Sequence, residues 1–205
     1  KKFNKKSTII AYGSTMIKTI EKKILKKYNL QKNEYYLIVG RLIPDNNSKL
    51  ICEGFLKSSS QKKLVIVGDV PYNDSYSKSL KSFNSDKIIF TGYINSQKLL
   101  SQLYINCYCY IHGHEYGGTN PTMINALDLN CNILALDTIF NKEMLKNKSS
   151  LLFKKDINDI KKNIQKIEDK YSNEVFTNTK YTLEKKYHWD YIAKQYENAF
   201  KNLIR

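Results

Sequence analysis

Residues 107–126 read CYCYIHGHEYGGTNPTMINA: an apolar run, then a polar loop with paired glycines, then a helix-like pattern. The run supplies a strand, YCYI at 108–111. Asn120 is a residue type whose side chain caps a helix, and Pro121 suits the first helical position, where an N–H would find no intrahelical partner. A strand that feeds a helix through such a loop is the repeating unit of a parallel sheet.

The same unit recurs on either side of it. YYLIV (35–39) is a continuous apolar run of the kind a parallel sheet buries on both faces, and LVIV (64–67), IIF (88–90), ILAL (133–136) and LLF (151–153) also read as strands. Between the strands, 47–57, 75–83, 96–104 and 121–130 read as helices. The alternation predicts an α/β fold, a Rossmann-like parallel sheet with helices on both faces. Upstream, STIIAY (7–12) is a short β-branched run, and 14–28 place Met16, Ile17, Ile20, Ile24 and Leu25 at helical spacing. The chain closes in a mostly helical C-terminal tail, whose last helix, near 188–203, carries Trp189, Ile192, Tyr196 and Phe200 on one face and is expected to pack on something apolar. No internal repeat or low-complexity segment interrupts the order.

A length of 205 residues suits one such domain with terminal extensions, and 41% hydrophobic residues with 16 tyrosines argue for a folded protein. No apolar run reaches the length of a membrane span, and no signal peptide is recognisable. The start, KKFNKK, is abrupt and basic, as though cut from something longer. The four cysteines stand at 52, 107, 109 and 131 without Cys-x-x-Cys spacing. They read as reduced core thiols, with Cys107 and Cys109 on one face of a strand, and they imply a cytosolic compartment. The net charge of +15 rests almost entirely on lysine, since Arg41 and Arg205 are the only arginines. Lysine with abundant asparagine, isoleucine and tyrosine is the mixture an AT-rich genome encodes. Nucleic-acid sites lean on arginine, so no nucleic-acid partner is expected. Attraction to anionic lipid or to an anionic ligand ranks above it, and a solvated lysine-rich surface is the plainest reading.

The loop after each strand carries the chemistry. Val39 leads to Gly40-Arg41, Val67 to Gly68-Asp69, Phe90 to Thr91-Gly92, Ile111 to His112, and Leu136 to Asp137-Thr138. In an open α/β sheet these carboxyl-end loops share one edge, where ligands bind. The phosphate loop G-x-x-x-x-G-K-[ST], the G-x-G-x-x-G turn and a metal-holding Asp-x-Asp pair are all missing. What remains is a metal-free phosphate site: the helix start at Asn120-Pro121 with its N–H groups and positive dipole end, Gly117 and Gly118 for close approach, and Arg41 as a fixed cation. His112 and His114 lack a third ligand, His188 being the only other histidine, so no metal is expected. There is no G-x-S-x-G serine elbow. Glu115 is the one acid in the central loop, either a working carboxylate or a solvated one.

Taken together, STIIAYGS, YYLIVGRLIPDNN, LVIVGD, IIFTGYI, YIHGHEYGGTNPTMINA and LALDTIFNKEML, with the tail YHWDYIAKQYENAF, resemble the C-terminal, donor-binding half of GT-B glycosyltransferases of family 4. The nearest branch is that of rhamnosyl- and mannosyltransferase-like proteins of surface polysaccharide assembly. The match runs from about residue 7 to 200. It implies that 1–13 are the end of an N-terminal domain and the interdomain crossing, 14–187 the nucleotide-sugar-binding domain, and 188–205 the closing helix. The acceptor-binding N-terminal domain would be missing, and this half alone should bind donor but transfer sugar poorly.

The resemblance also distributes roles. Arg41 matches the diphosphate-binding arginine, and Asn46 falls where its partner lysine usually stands. Gly117, Gly118, Thr119, Asn120, Thr122 and Met123 match the diphosphate-binding helix start. Glu115 matches the first of the family's two glutamates and, with Arg41, is the catalytic candidate; His112, His114 and Tyr116 join it on the sugar side. Gly92, Tyr93 and Asn125 fall to ribose and base, with Asn125 where the second glutamate normally accepts from the ribose. The implied reaction is retaining transfer of a hexose or a rhamnose-like deoxyhexose from a dTDP-, UDP- or GDP-sugar to a glycan or lipid-linked acceptor. It needs no cofactor and takes place in the cytoplasm or at the cytoplasmic membrane face. A sugar-nucleotide-binding module without catalysis is the alternative, because an amide at 125 accepts without charge assistance.

Overall fold

The structure, a computed structural model, describes residues 7–14, 16–19, 21–70, 74–83, 85–146, 150–169 and 183–203. Six strands form one parallel sheet: β1 (Tyr35–Val39), β2 (Lys63–Val67), β3 (Ile88–Gly92), β4 (Cys109–His112), β5 (Ile133–Leu136) and β6 (Leu151–Phe153). Their order is β3-β2-β1-β4-β5-β6. The chain thus builds outward from β1 to β3, then returns to lay β4 along the other side of β1. Connections on the two sides of that junction go to opposite faces, which opens a crevice between the loops after β1 and β4. That junction decides where a ligand can sit.

Alternate residues of the central strands supply the two cores, as period-two geometry requires. Tyr35, Leu37, Val65 and Tyr110 pack on one face with α1 (Lys23–Lys27), α4 (Gln97–Asn106), α5 (Pro121–Asp128) and α6 (Ile139–Leu145). Tyr36, Ile38, Leu64, Ile66, Cys109 and Ile111 pack on the other with α2 (Ser48–Lys57), α3 (Ser75–Lys81) and α7 (Ile157–Glu168). The α2–α7 contact is close because Gly54 has no side chain: a Cβ there would stand 2.6 Å from Ile160 Cγ2. Five helices open on a capping side chain, those of Asp74, Ser96, Asn120, Thr138 and Asp156.

Three expectations need correction. The apolar spacing over 14–28 does not give a helix of that length; α1 begins only at Lys23, and the described residues of 7–22 are neither strand nor helix. This stretch is a strap whose backbone is tied to its neighbours. Ser14 N donates to Tyr187 O (3.3 Å) and Ile17 N to Ser101 Oγ (3.1 Å), which takes the N–H that a helix would need. Cys107 and Cys109 do not share a strand face. Cys107 caps the C-terminus of α4 and joins the first core, whereas Cys109 opens β4 and faces the second. All four thiols are free and buried, and burial pushes that of Cys52 up to about 12. In α8 (Trp189–Leu203) only Ile192 of the expected apolar face is buried; Trp189, Tyr196 and Phe200 stay exposed, the last two stacked on each other.

Candidate functional site

A cavity of about 530 Å³ opens at the carboxyl ends of β1, β2 and β4, beside the start of α5. Its floor is backbone. Gly68, at φ +137°, lies so close to β1 that a Cβ there would stand 1.9 Å from the Gly40 carbonyl oxygen. Gly113 lets the β4 loop slide under the β1 loop, since a Cβ there would stand 2.4 Å from Asn46 O. Glycine at these positions is required by contact.

The β1 loop is folded back by two asparagines. Asn46, at the end of a 3-10 turn over Pro44–Asn46, donates from Nδ2 to Arg41 O at 2.7 Å and leaves the Arg41 side chain exposed on the cavity wall. Asn47, in the left-handed region (φ 53°, ψ 21°), donates to Gly113 O at 2.8 Å and to Glu115 Oε1 at 2.9 Å. Lys155, in the loop after β6, pairs with the same carboxylate oxygen. The Lys155 bond, and after it the Asn47 amide, holds the Glu115 carboxyl below the usual carboxylate range. Glu115 therefore pins three loops of the edge together and is not on the cavity lining.

The opposite wall is imidazole and helix start. His112 and His114 stack with ring centroids 4.4 Å apart and 11° between planes, and His114 lines the cavity. Burial, and then the Arg41 cation, lowers His114 from 6.5 to about 4; burial pushes His112 well below the ordinary value. Both rings are neutral at pH 7. Asn120 Oδ1 accepts from Thr122 N at 3.0 Å, so the first two positions of α5 offer no spare N–H: Pro121 has none and Thr122's is capped. Tyr93, Ile94, Gln97 and Leu100 add a largely apolar part to the lining.

The structure brings Arg41, Asn46, Tyr93, His114, Tyr116, Asn120 and Thr122 onto one cavity. The other sequence-predicted residues lie off its lining. Gly92, the last residue of β3, and Gly117, in the loop after β4, take positive φ; Gly118 is exposed and Thr119 half-buried, and Met123 is core. His112 is 1% exposed, behind His114. Asn125 is buried one turn into α5, where the Ser14 hydroxyl lies 3.5 Å from its Oδ1 and 2.6 Å from Asp128 Oδ2. Sequence reasoning missed Asp69 and Gln97 as lining residues and Lys155 as a partner of Glu115. Lys155 could have been found, because it follows the sixth strand as the other loops follow theirs. Among the described residues no group of three or more His, Cys, Asp or Glu is placed to hold a metal ion. No described helix is long and apolar enough to cross a membrane.

A parallel sheet with an arginine-bearing cavity at its switch point has relatives. Among solved structures, Anabaena HepE in complex with UDP and glucose superposes with a TM-score of 0.75 at 14% identity, covering 87% of this chain and 51% of that one. A glycosyltransferase from Rickettsia africae gives 0.73 at 14% identity, with 89% and 51% covered. Sucrose-phosphate synthase from Thermosynechococcus elongatus gives 0.71 at 16%, with 95% and 50% covered. The chain thus spans about half the length of these proteins. At such identities the likeness shows the fold, that of one half of a GT-B protein. No curated protein matches the sequence. The family described as glycosyl transferases group 1 matches residues 20–185, most of the length, and the chain belongs to that family.

Proposed function

We propose that this chain is the donor-binding half of a glycosyltransferase that takes its sugar from a nucleoside-diphosphate carrier. One observation carries the reading: Arg41 and the positive end of α5 converge on a single cavity whose lining also has a largely apolar part. A diphosphate suits Arg41 and the helix start, and a base the apolar part. Arg41 and the helix dipole would stabilise the negative charge that builds on the departing diphosphate, a preorganised electrostatic contribution. Neutral His114, with Tyr116, lies where it can meet hydroxyls of the sugar without repelling a cationic transition state. HepE, crystallised with UDP and glucose, is consistent with a uridine carrier.

The finer reading follows the resemblance. The transfer retains configuration, the sugar is a hexose or rhamnose-like deoxyhexose, and the acceptor is a glycan or lipid-linked chain of surface polysaccharide. The partner is an N-terminal acceptor-binding domain, and the reaction takes place in the cytoplasm or at the cytoplasmic membrane face. A second reading, a sugar-nucleotide-binding module without transfer, is favoured by Asn125, which stands where the resemblance expects a glutamate. A thermal-shift screen of dTDP-, UDP- and GDP-sugars tests the donor class, since a ligand that binds only the folded state raises its melting temperature. Titration calorimetry then compares a nucleoside diphosphate with its nucleoside on wild type and Arg41→Ala. The substitution should weaken diphosphate binding much more than nucleoside binding, and equal losses would remove the diphosphate assignment.

A further inference from the structure

Beneath the start of α5 runs a chain of three side-chain hydrogen bonds with a fixed direction. Asn120 Oδ1 accepts from the Thr122 backbone N–H at 3.0 Å, so that atom is a carbonyl oxygen and cannot donate. The Thr122 hydroxyl, 2.8 Å from the same oxygen, must therefore donate to it. Having one proton, Thr122 Oγ1 can only receive from Tyr110, whose hydroxyl is 2.9 Å away. Tyr110 has then used its own proton. Its contact with His112 Nδ1, at 2.9 Å, closes only if the imidazole nitrogen carries the hydrogen. His112 is thereby held as the Nδ1–H tautomer, with its Nε2 lone pair buried and without a partner among the described residues.

Tyr110 is fully buried, where a phenylalanine would fill the same volume without a hydroxyl to satisfy. Its hydroxyl touches Thr122, His112 and the Tyr104 hydroxyl, and the first two lead to walls of the cavity. One is Thr122, whose carbonyl oxygen is held in turn by the Tyr104 hydroxyl at 3.2 Å, so two tyrosines fix the first turn of α5 from below. The other is His112, the ring against which His114 stacks in the cavity wall. We propose that Tyr110 is a positioning residue: through Thr122 and His112 it sets the helix start and the His114 face that a nucleoside diphosphate meets. The proposal rests on the reading of the cavity as a diphosphate site, and its test separates the two.

Long-range proton–nitrogen correlation spectra of the 15N-labelled chain report the tautomer of each imidazole, and calorimetry with UDP, dTDP and GDP reports affinity. Wild type should show His112 protonated at Nδ1. Tyr110→Phe should abolish that signature and raise the Kd of whichever diphosphate binds by about 3- to 10-fold, the effect of one lost net hydrogen bond. Thr122→Val should give the same two changes and stands in if Tyr110→Phe does not fold, while Thr122→Ser, which keeps the hydroxyl, should keep the Nδ1–H signature. A wild-type His112 protonated at Nε2 overturns the relay. Unchanged affinity in Tyr110→Phe, with wild type binding normally, overturns the positioning role alone. A wild type that binds none of the three diphosphates overturns the cavity's assignment and Tyr110's part in it.

Discussion

Acidification should loosen this fold well above the pH at which carboxylates titrate. His114 is lowered from 6.5 to about 4 by burial and by the neighbouring Arg41. A group that resists protonation only when folded lets the unfolded state bind more protons between those two values, so stability falls as pH falls through that window. The gap between 6.5 and about 4, at about 1.4 kcal/mol per pH unit, sets the largest loss from His114 at roughly 3 kcal/mol. His112, pushed well below the ordinary value by burial, acts in the same direction. For a domain of this size each kcal/mol moves the melting temperature by roughly 2–4 °C. Thermal melts at matched ionic strength from pH 7.5 to 4.5 should therefore decline steadily, most of the fall beginning below pH 6.5. His114→Gln should flatten much of the slope while leaving stability at pH 7.5 within about 1–2 kcal/mol. A melting temperature that holds level from pH 7 to 5, or a variant as steep as wild type, would refute the argument that the stacked pair is neutral by burial.

Gly68→Ala should destabilise by roughly 3 kcal/mol or more in urea unfolding, because its Cβ would meet the Gly40 carbonyl at 1.9 Å in a positive-φ backbone; a loss under 1 kcal/mol would mean the floor can part. Lys155→Met should let the Glu115 carboxyl titrate at higher pH, followed by NMR of its side-chain carbon, with little effect on stability because the lysine is exposed. Asn125→Glu should lower stability by roughly 1–3 kcal/mol, since a carboxylate buried at 125 would join the half-buried Asp128 around the Ser14 hydroxyl. If that variant instead binds a nucleoside diphosphate more tightly, its side chain reaches the ribose as the resemblance implies.

The sheet was legible because its strands are buried on both faces and so appear as unbroken apolar runs such as YYLIV and ILAL. The N-terminal strap was not. Met16 and Ile17 share helical spacing with Ile24, which does lie in α1, but Ser101 and Tyr187, both distant in sequence, take backbone bonds of the strap. The short α6 was hidden for a similar reason: IFNKEML carries too few periodic positions to stand out beside the strand before it. At the site, the rule that ligands sit at carboxyl ends located the Arg41 loop and the Asn120 helix start. It could not reveal Tyr110, which reads as one more apolar letter of a strand, since its partners are set by β4 lying under α5.

The capped start of α5 has a consequence for how tightly an anion is held. Asn120 Oδ1 already occupies the Thr122 amide that an incoming phosphate oxygen would seek, so the side chain acts as a resident placeholder. That amide needs no bound anion to be satisfied. In exchange, any anion that seeks that amide is measured against an intramolecular competitor. Its affinity is a difference between two acceptors, which favours a weakly held, readily exchanged occupant.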